Sequence, residues 1–202
     1  IIPTELIVGN GDRLSEILFA LAKFNKLEEA FIEWLKTNNI VCNSLVDRIV
    51  PGKPAADIKE QIEESLGYKD EMMIMGEVYR LWAIEGDDRV KEVLSFAPAD
   101  KGVIIEPDIE KYRELKLRLL NGTHTLSCGL AFLSGIQTVK DAMEDKQFGQ
   151  FIHDLMLNEI APAIPAKVDS NEAERFGLQV LDRFRNPAIK HQWISITLQY
   201  TS

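Results

Sequence analysis

Cysteine is scarce in this chain of 202 residues: Cys42 and Cys128 are the two present. They sit far apart in apolar settings, which excludes a disulfide framework and a redox or metal pair at short spacing. Two free thiols fit the cytoplasm. Histidine is scarcer than a metal site needs, with three residues, His124, His153 and His191, scattered singly, so no metal is expected. Positive charge is in deficit. Lys and Arg number 23 against 32 Asp and Glu, a net charge of −9, which argues against nucleic acid or an anionic membrane surface as a partner. No apolar run approaches the ~20 residues that span a bilayer. Neither a Gly-x-Ser-x-Gly elbow nor a Cys–His arrangement is present, so nucleophilic catalysis has no support. A Gly-x-Gly-x-x-Gly fingerprint after a strand is missing too, since Gly9-Asn10-Gly11 is too short and lacks the third glycine.

What is present is a 46% hydrophobic chain, able to bury one large or two small cores. Residues 1–8 read as a short strand ending at the Gly9-Asn-Gly turn. Helices follow from about Asp12 to Lys23 and from Glu28 to Thr37. Ile40–Leu45 reads as a buried strand, Ala56–Leu66 as a helix, and Val78–Glu85 and Val103–Glu106 as strands. Beyond Pro107 every segment reads helical, with breaks near Asn121-Gly122, Lys146 and Pro162 to Pro165. The expected class is α+β, mainly helical: a mixed α/β portion over 1–107, then an all-helical domain over 108–202.

Immediately after that boundary the pattern becomes chemically pointed. The stretch Ile109–Leu120 reads as a helix opened by Pro107 and Asp108, with an apolar stripe of Ile109, Tyr112, Leu115, Leu119 and Leu120. Lys116 falls inside that stripe. A lysine there either snorkels its ammonium to an edge or is desolvated, which lowers its pKa toward neutrality and suits it to proton exchange with a hydroxyl. Asn121 follows at an expected turn, and His124 opens a second helix, Thr125–Ile136. The three residues can converge on one point. They can equally be a helix–turn–helix corner with a snorkelling lysine, a capping asparagine and a satisfied histidine. Asp47 and Arg48 are similarly two-sided: a guanidinium can hold a carboxylate through paired hydrogen bonds, and an exposed local Asp–Arg pair contributes little.

Lys116-Leu-Arg-Leu-Leu-Asn121-Gly-Thr-His124 resembles the signature of the polyol-specific long-chain dehydrogenases, the mannitol dehydrogenase family. Further blocks resemble the same family in the same order. They are Pro3-Thr-Glu-Leu-Ile with Asn10-Gly11, then Asn43-Ser-Leu-Val-Asp47-Arg48-Ile-Val-Pro51-Gly52, then Asn158-Glu159-Ile-Ala-Pro162, and finally Arg183-Phe-Arg-Asn186-Pro187. The forms of the first two look most like the tagaturonate reductase (altronate oxidoreductase) branch. The resemblance implies hydride transfer between a sugar-acid hydroxyl and NAD, in a cleft between two domains. Lys116 would be the base, Asn121 a donor to the reacting oxygen, and His124 the group that orients them. It places Asp47, Arg48 and His191 on the substrate side and Asn10 and Asn43 on the cofactor side. In the mannitol-specific branch a second asparagine serves the oxyanion; Leu6 stands there, which points away from mannitol. Fructuronate reductase and mannitol dehydrogenase are alternatives within the family, and a non-catalytic helical interaction domain is an alternative outside it. With no initiator methionine and no glycine-rich loop, the chain reads as an internal fragment of a protein more than twice as long. Its pyrophosphate site is expected upstream of residue 1, and the piece alone is expected to be inactive.

Overall fold

The computed structural model describes residues 1–165 and 168–198. Contacts divide the chain into two units that interleave: residues 1–48 with 79–112, and residues 49–78 with 113–202. The change of composition at residue 107 and the line of compactness are therefore different lines, because the excursion 49–78 leaves the first unit and packs with the second.

The first unit is built on a three-stranded sheet in the order β1 (Ser44–Asp47), β2 (Leu81–Glu85), β3 (Val103–Glu106). β1 runs antiparallel to β2, with Ser44 opposite Ile84 and Asp47 opposite Leu81. β2 and β3 are parallel, from Trp82 opposite Val103 to Glu85 opposite Glu106. Alternation along the strands gives each face its own core. Cys42, Ile84 and Val90 gather Ile2, Ile40, Trp82, Val103 and Ile105 on one. Leu81, Ala83 and Ile109 gather Leu45, Tyr79, Ile104 and Tyr112 on the other. Helices α1 (Asn10–Phe24), α2 (Glu29–Asn38) and α4 (Asp88–Val93) complete the unit.

The strand expected over residues 1–8 does not form. Pro3 has no N–H to give a ladder, and the Asn10 amide takes the Pro3 and Glu5 carbonyls at 3.0 and 3.1 Å, bending the chain into α1. The strand expected at Ile40–Leu45 shifts to Ser44–Asp47, because Cys42 N–H and the Ile40 carbonyl bond instead to Ile1, at 2.9 and 2.7 Å. Val78, 88% exposed, belongs to the other unit, so the strand expected from residue 78 begins at Leu81.

In the second unit, α3 (Ala56–Leu66) lies in the excursion. The bundle follows: the end of α5 (Glu110–Leu115), α6 (Thr123–Leu133), α7 (Val139–Glu144), α8 (Lys146–Asp154), α9 (Ser170–Phe184) and α10 (Trp193–Thr197). The turn expected at Asn121-Gly122 is absent. Lys116–Gly122 is a π-helical segment that joins α5 to α6 without a break. Gly122 has helical φ and ψ of −60° and −45°, so its glycine freedom is unused. Tertiary burial decides this. Leu115, Leu119, Thr123, Ser127 and Ala131, four residues apart, are all buried. A straight α-helix would rotate such a row by about 40° per step, and the wider turn rotates it back.

Candidate active site

A second row runs beside the buried one on the same continuous helix: Lys116, Leu120, His124 and Cys128, again four apart. Lys116 and His124 therefore share a face two turns from one another. Lys116 is half-buried, His124 is 6% exposed, and Asn121 lies off the row in solvent. π-turns within α-helices occur often at functional sites, and this one begins at Lys116 and ends immediately before the turn that carries His124.

His124 is enclosed by aromatics. Its ring stacks on Phe184 at 4.5 Å with an interplanar angle of 10°. His191 and Trp193 meet it edge-on at 5.0 and 5.9 Å. Desolvation, with the nearby His191 and the charge of Arg183, pushes its pKa down to about 3. Burial lowers His191 as well. The imidazole of His124 is thus neutral throughout the physiological range. Its Nε2 is buried without a hydrogen-bond partner among the described residues, as are Thr123 Oγ1, Ser127 Oγ and Trp193 Nε1.

Backbone pairing sets His191 and Trp193 in place: the His191 carbonyl accepts from Val139 N–H at 2.9 Å, and Trp193 N–H donates to Gln137 at 3.1 Å. Phe184 is set by its neighbour. Arg183 grips Glu77 through two bonds, Nε to Oε2 at 3.1 Å and a terminal N–H to Oε1 at 2.9 Å. The same carboxylate accepts Ile49 N–H at 2.6 Å. Sequence reasoning found His124 and His191 and missed Phe184, Trp193, Arg183 and Glu77. The signal for Arg183 and Phe184 lay in the Arg-Phe-Arg-Asn-Pro block; nothing marked Glu77.

The first unit separates its four candidates by end and by face. Asn43, with its neighbour Glu85, lies at the carboxyl end of β2, and Asp47 and Arg48 lie at the opposite end. Asn10 is buried, and its amide binds the Pro3, Glu5 and Ser44 carbonyls while its oxygen accepts Gly11 and Ser44 N–H. Asn43 Oδ1 accepts Gly11 and Asp12 N–H at 2.9 and 3.2 Å, and its amide donates to Asp12 and Glu85. A Cβ on Gly11 would come within 2.5 Å of the Cys42 carbonyl, so only glycine permits this seam. Here two N–H groups of the first turn of α1 are capped and carboxylates stand beside them, which does not fit a pyrophosphate. Asp47 is 6% exposed and, paired with Leu81, shares the face covered by Ile109 and Tyr112. Arg48 is exposed and lines a cleft with Val46 and Trp82 of the other face.

Two family models match the chain in succession: the mannitol dehydrogenase Rossmann domain over residues 1–96 and the mannitol dehydrogenase C-terminal domain over residues 108–201. The altronate oxidoreductase of Bacillus subtilis (strain 168) is 45% identical over the whole chain, which spans 41% of that protein's length. Among solved structures, a D-sorbitol dehydrogenase in substrate-free form shares the fold, with a TM-score of 0.76 at 22% identity over 97% of this chain and 39% of its own. The Pseudomonas fluorescens mannitol 2-dehydrogenase, in a ternary complex with NAD and D-mannitol, aligns with a TM-score of 0.61 at 26% identity. That match covers 93% of this chain and 37% of the other. With two successive domain models and these alignments all pointing the same way, the chain belongs to the mannitol dehydrogenase family.

Proposed function

We propose that this chain is part of an NAD-dependent oxidoreductase that reduces the keto sugar acid tagaturonate to altronate, the reverse being oxidation of a secondary hydroxyl. The name of the 45% identical relative supports the substrate, and the NAD in the mannitol 2-dehydrogenase complex supports the cofactor. Residues 1–107 are read as the remainder of the cofactor-side domain and 108–202 as the helical substrate domain; the family matches, which end at 96 and resume at 108, favour that division. NADH would supply the hydride to the keto carbon, and NAD would accept it in the reverse direction. Its pyrophosphate does not fit the capped start of α1.

The observation that carries the proposal is the row shared by Lys116 and a neutral, buried His124. An imidazole with a pKa of about 3 does not exchange protons at neutral pH. It serves as a fixed hydrogen-bonding group. Proton exchange with the substrate oxygen then falls to Lys116, and the solvent-exposed Asn121 is read as offering an N–H to the developing oxyanion. Asp47 and His191 are read as substrate-side groups. A soluble cytoplasmic enzyme is the simplest setting, and no helix among the described residues is long and apolar enough to cross a membrane.

The test is NADH oxidation by the full-length parent protein, with tagaturonate, fructuronate and fructose offered side by side. Turnover with tagaturonate, reduced at least ~1,000-fold in Lys116→Ala with NADH binding retained, is expected for an essential proton carrier. Preference for fructose would discard the sugar-acid assignment, and an equal loss of NADH affinity would remove Lys116 from the proton-transfer role.

A further inference from the structure

The outer face of α6 is out of keeping with a helix at the surface. From Leu119 to Val139 the sequence holds no Lys, Arg, Asp or Glu, in a chain that is 27% charged. Inward, α6 buries Thr123, His124, Ser127, Cys128 and Ala131. Outward it presents Leu126, Leu130 and Leu133, spaced i, i+4 and i+7 on one stripe. Each is half-exposed or more, and Leu133 is 86% exposed. α9 shows the ordinary amphipathic pattern, with an apolar inner face and Glu174, Arg175 and Asp182 turned out to water.

A helix that is apolar on both faces belongs to the interior of a larger body, and a contiguous apolar patch at a surface marks a contact. Gly129 stands within the same stripe, and a Cβ built on it would meet nothing within 4 Å. Glycine weakens a helix interior relative to alanine but lets another backbone come close. α10, packed against α6, leaves Ile194 and Leu198 uncovered as well. The material to cover this surface exists. The chain spans 41% of the length of its Bacillus subtilis relative, so more than half of such a protein lies outside these residues.

We propose that an apolar helix of the same polypeptide, from the part outside residues 1–202, packs across Leu126, Leu130 and Leu133 with Gly129 at the crossing. α6 carries His124 on its inner face, so this added layer backs the helix on which the imidazole is set. The inference rests on reading the chain as part of a longer protein. Its readout does not depend on turnover, so it fails separately from the substrate assignment.

The experiment uses the full-length parent, expressed with a photoreactive leucine analogue, irradiated and digested, with cross-links assigned by mass spectrometry. Cross-links are expected from Leu126, Leu130 or Leu133 to peptides outside residues 1–202. They should fall within the monomer and survive ~100-fold dilution, because an intramolecular contact does not follow mass action. Cross-links confined to peptides of residues 1–202, or none from these leucines, would overturn the proposal. Cross-links to a second copy that fade on dilution would overturn it too, and would make the face a dimer interface. Leu130→Glu tests the same contact by charge. A carboxylate at a covered position is unpaired, which is expected to lower the melting temperature of the full-length protein by at least ~3 °C. An unchanged melting temperature would mean that the stripe lies in water and would overturn the proposal.

Discussion

At the scale of single residues, His124 is the most constrained group in the second unit. Its ring is stacked on Phe184 and edge-packed by His191 and Trp193, and protonating it would place a charge in a desolvated site facing the Arg183 cation. An NMR titration is therefore expected to show no step in its ring protons between pH 8 and about 4.5, where a solvated imidazole titrates near 6.5. The sign for stability follows. Folding lowers this pKa from 6.5 to about 3, so between those values the unfolded chain binds the extra proton. Stability from this group is complete above about 6.5 and falls as the pH drops, by about 1.4 kcal/mol for each pH unit within the window. His191, lowered in the same direction, adds to the loss. A His124→Phe variant that retains the acid sensitivity of the parent would remove His124 as its source.

At the scale of elements, the π segment fixes how α5 and α6 face the bundle. Leu117 within it is 53% exposed, so Leu117→Ala is expected to change stability by no more than about 0.5 kcal/mol. Deleting Leu117 removes one position from the four-residue stripe and rotates everything after it by about 100°. That turns Thr123, Ser127 and Ala131 away from the core. Urea denaturation is expected to show the deletion far less stable than the substitution; equal midpoints would mean the stripe does not set the register. This element also shows where sequence reading stopped. α3 and β3 were legible to the residue, since Pro54 and Gly67 bound one and Gly102 and Pro107 the other. Asn121-Gly122 is a strong local turn signal, and it lost to a buried row whose partners lie elsewhere in the bundle. The strand over 1–8 failed likewise, because the Asn10 side chain took the carbonyls a ladder would have used. Lys116 was visible inside an apolar stripe, and His124 through the Lys-x4-Asn-x2-His spacing, but their common row was hidden by the expected turn. Phe184 and Trp193, which complete the pocket around His124, lie some 60 to 70 residues later, and periodicity carries no information across that distance.

At the scale of the whole molecule, the second unit gathers two separated stretches of chain, and the buried Glu77–Arg183 pair ties them. Both side chains are almost inaccessible, at 2% and 6%, and Glu77 also receives Ile49 N–H and pairs its own N–H with the Ile49 carbonyl. The carboxylate thus closes the base of the 49–78 excursion and anchors it to α9. Glu77→Ala removes the carboxylate of a buried ion pair and is expected to destabilise by about 3–5 kcal/mol, with faster hydrogen exchange concentrated over residues 49–78. Glu77→Leu combined with Arg183→Met removes both charges and is expected to recover part of that loss. A double variant no more stable than Glu77→Ala would show that the pair's worth lies in the Ile49 contact alone.

The interleaving has a consequence for synthesis. Glu77 and Arg183 are 106 positions apart, and at about 5–20 residues per second the ribosome needs roughly 5–20 s to deliver the arginine after the glutamate has been made. Throughout that interval the excursion has left the first unit and has no bundle to join. The first unit must close its sheet around that dangling segment, because β2 and β3 lie after it in the chain. A cut after residue 112 keeps the whole first unit but carries 49–78 away from the second, so no single cut yields both units intact, and a nascent chain halted before Arg183 would leave residues 49–78 open to proteases.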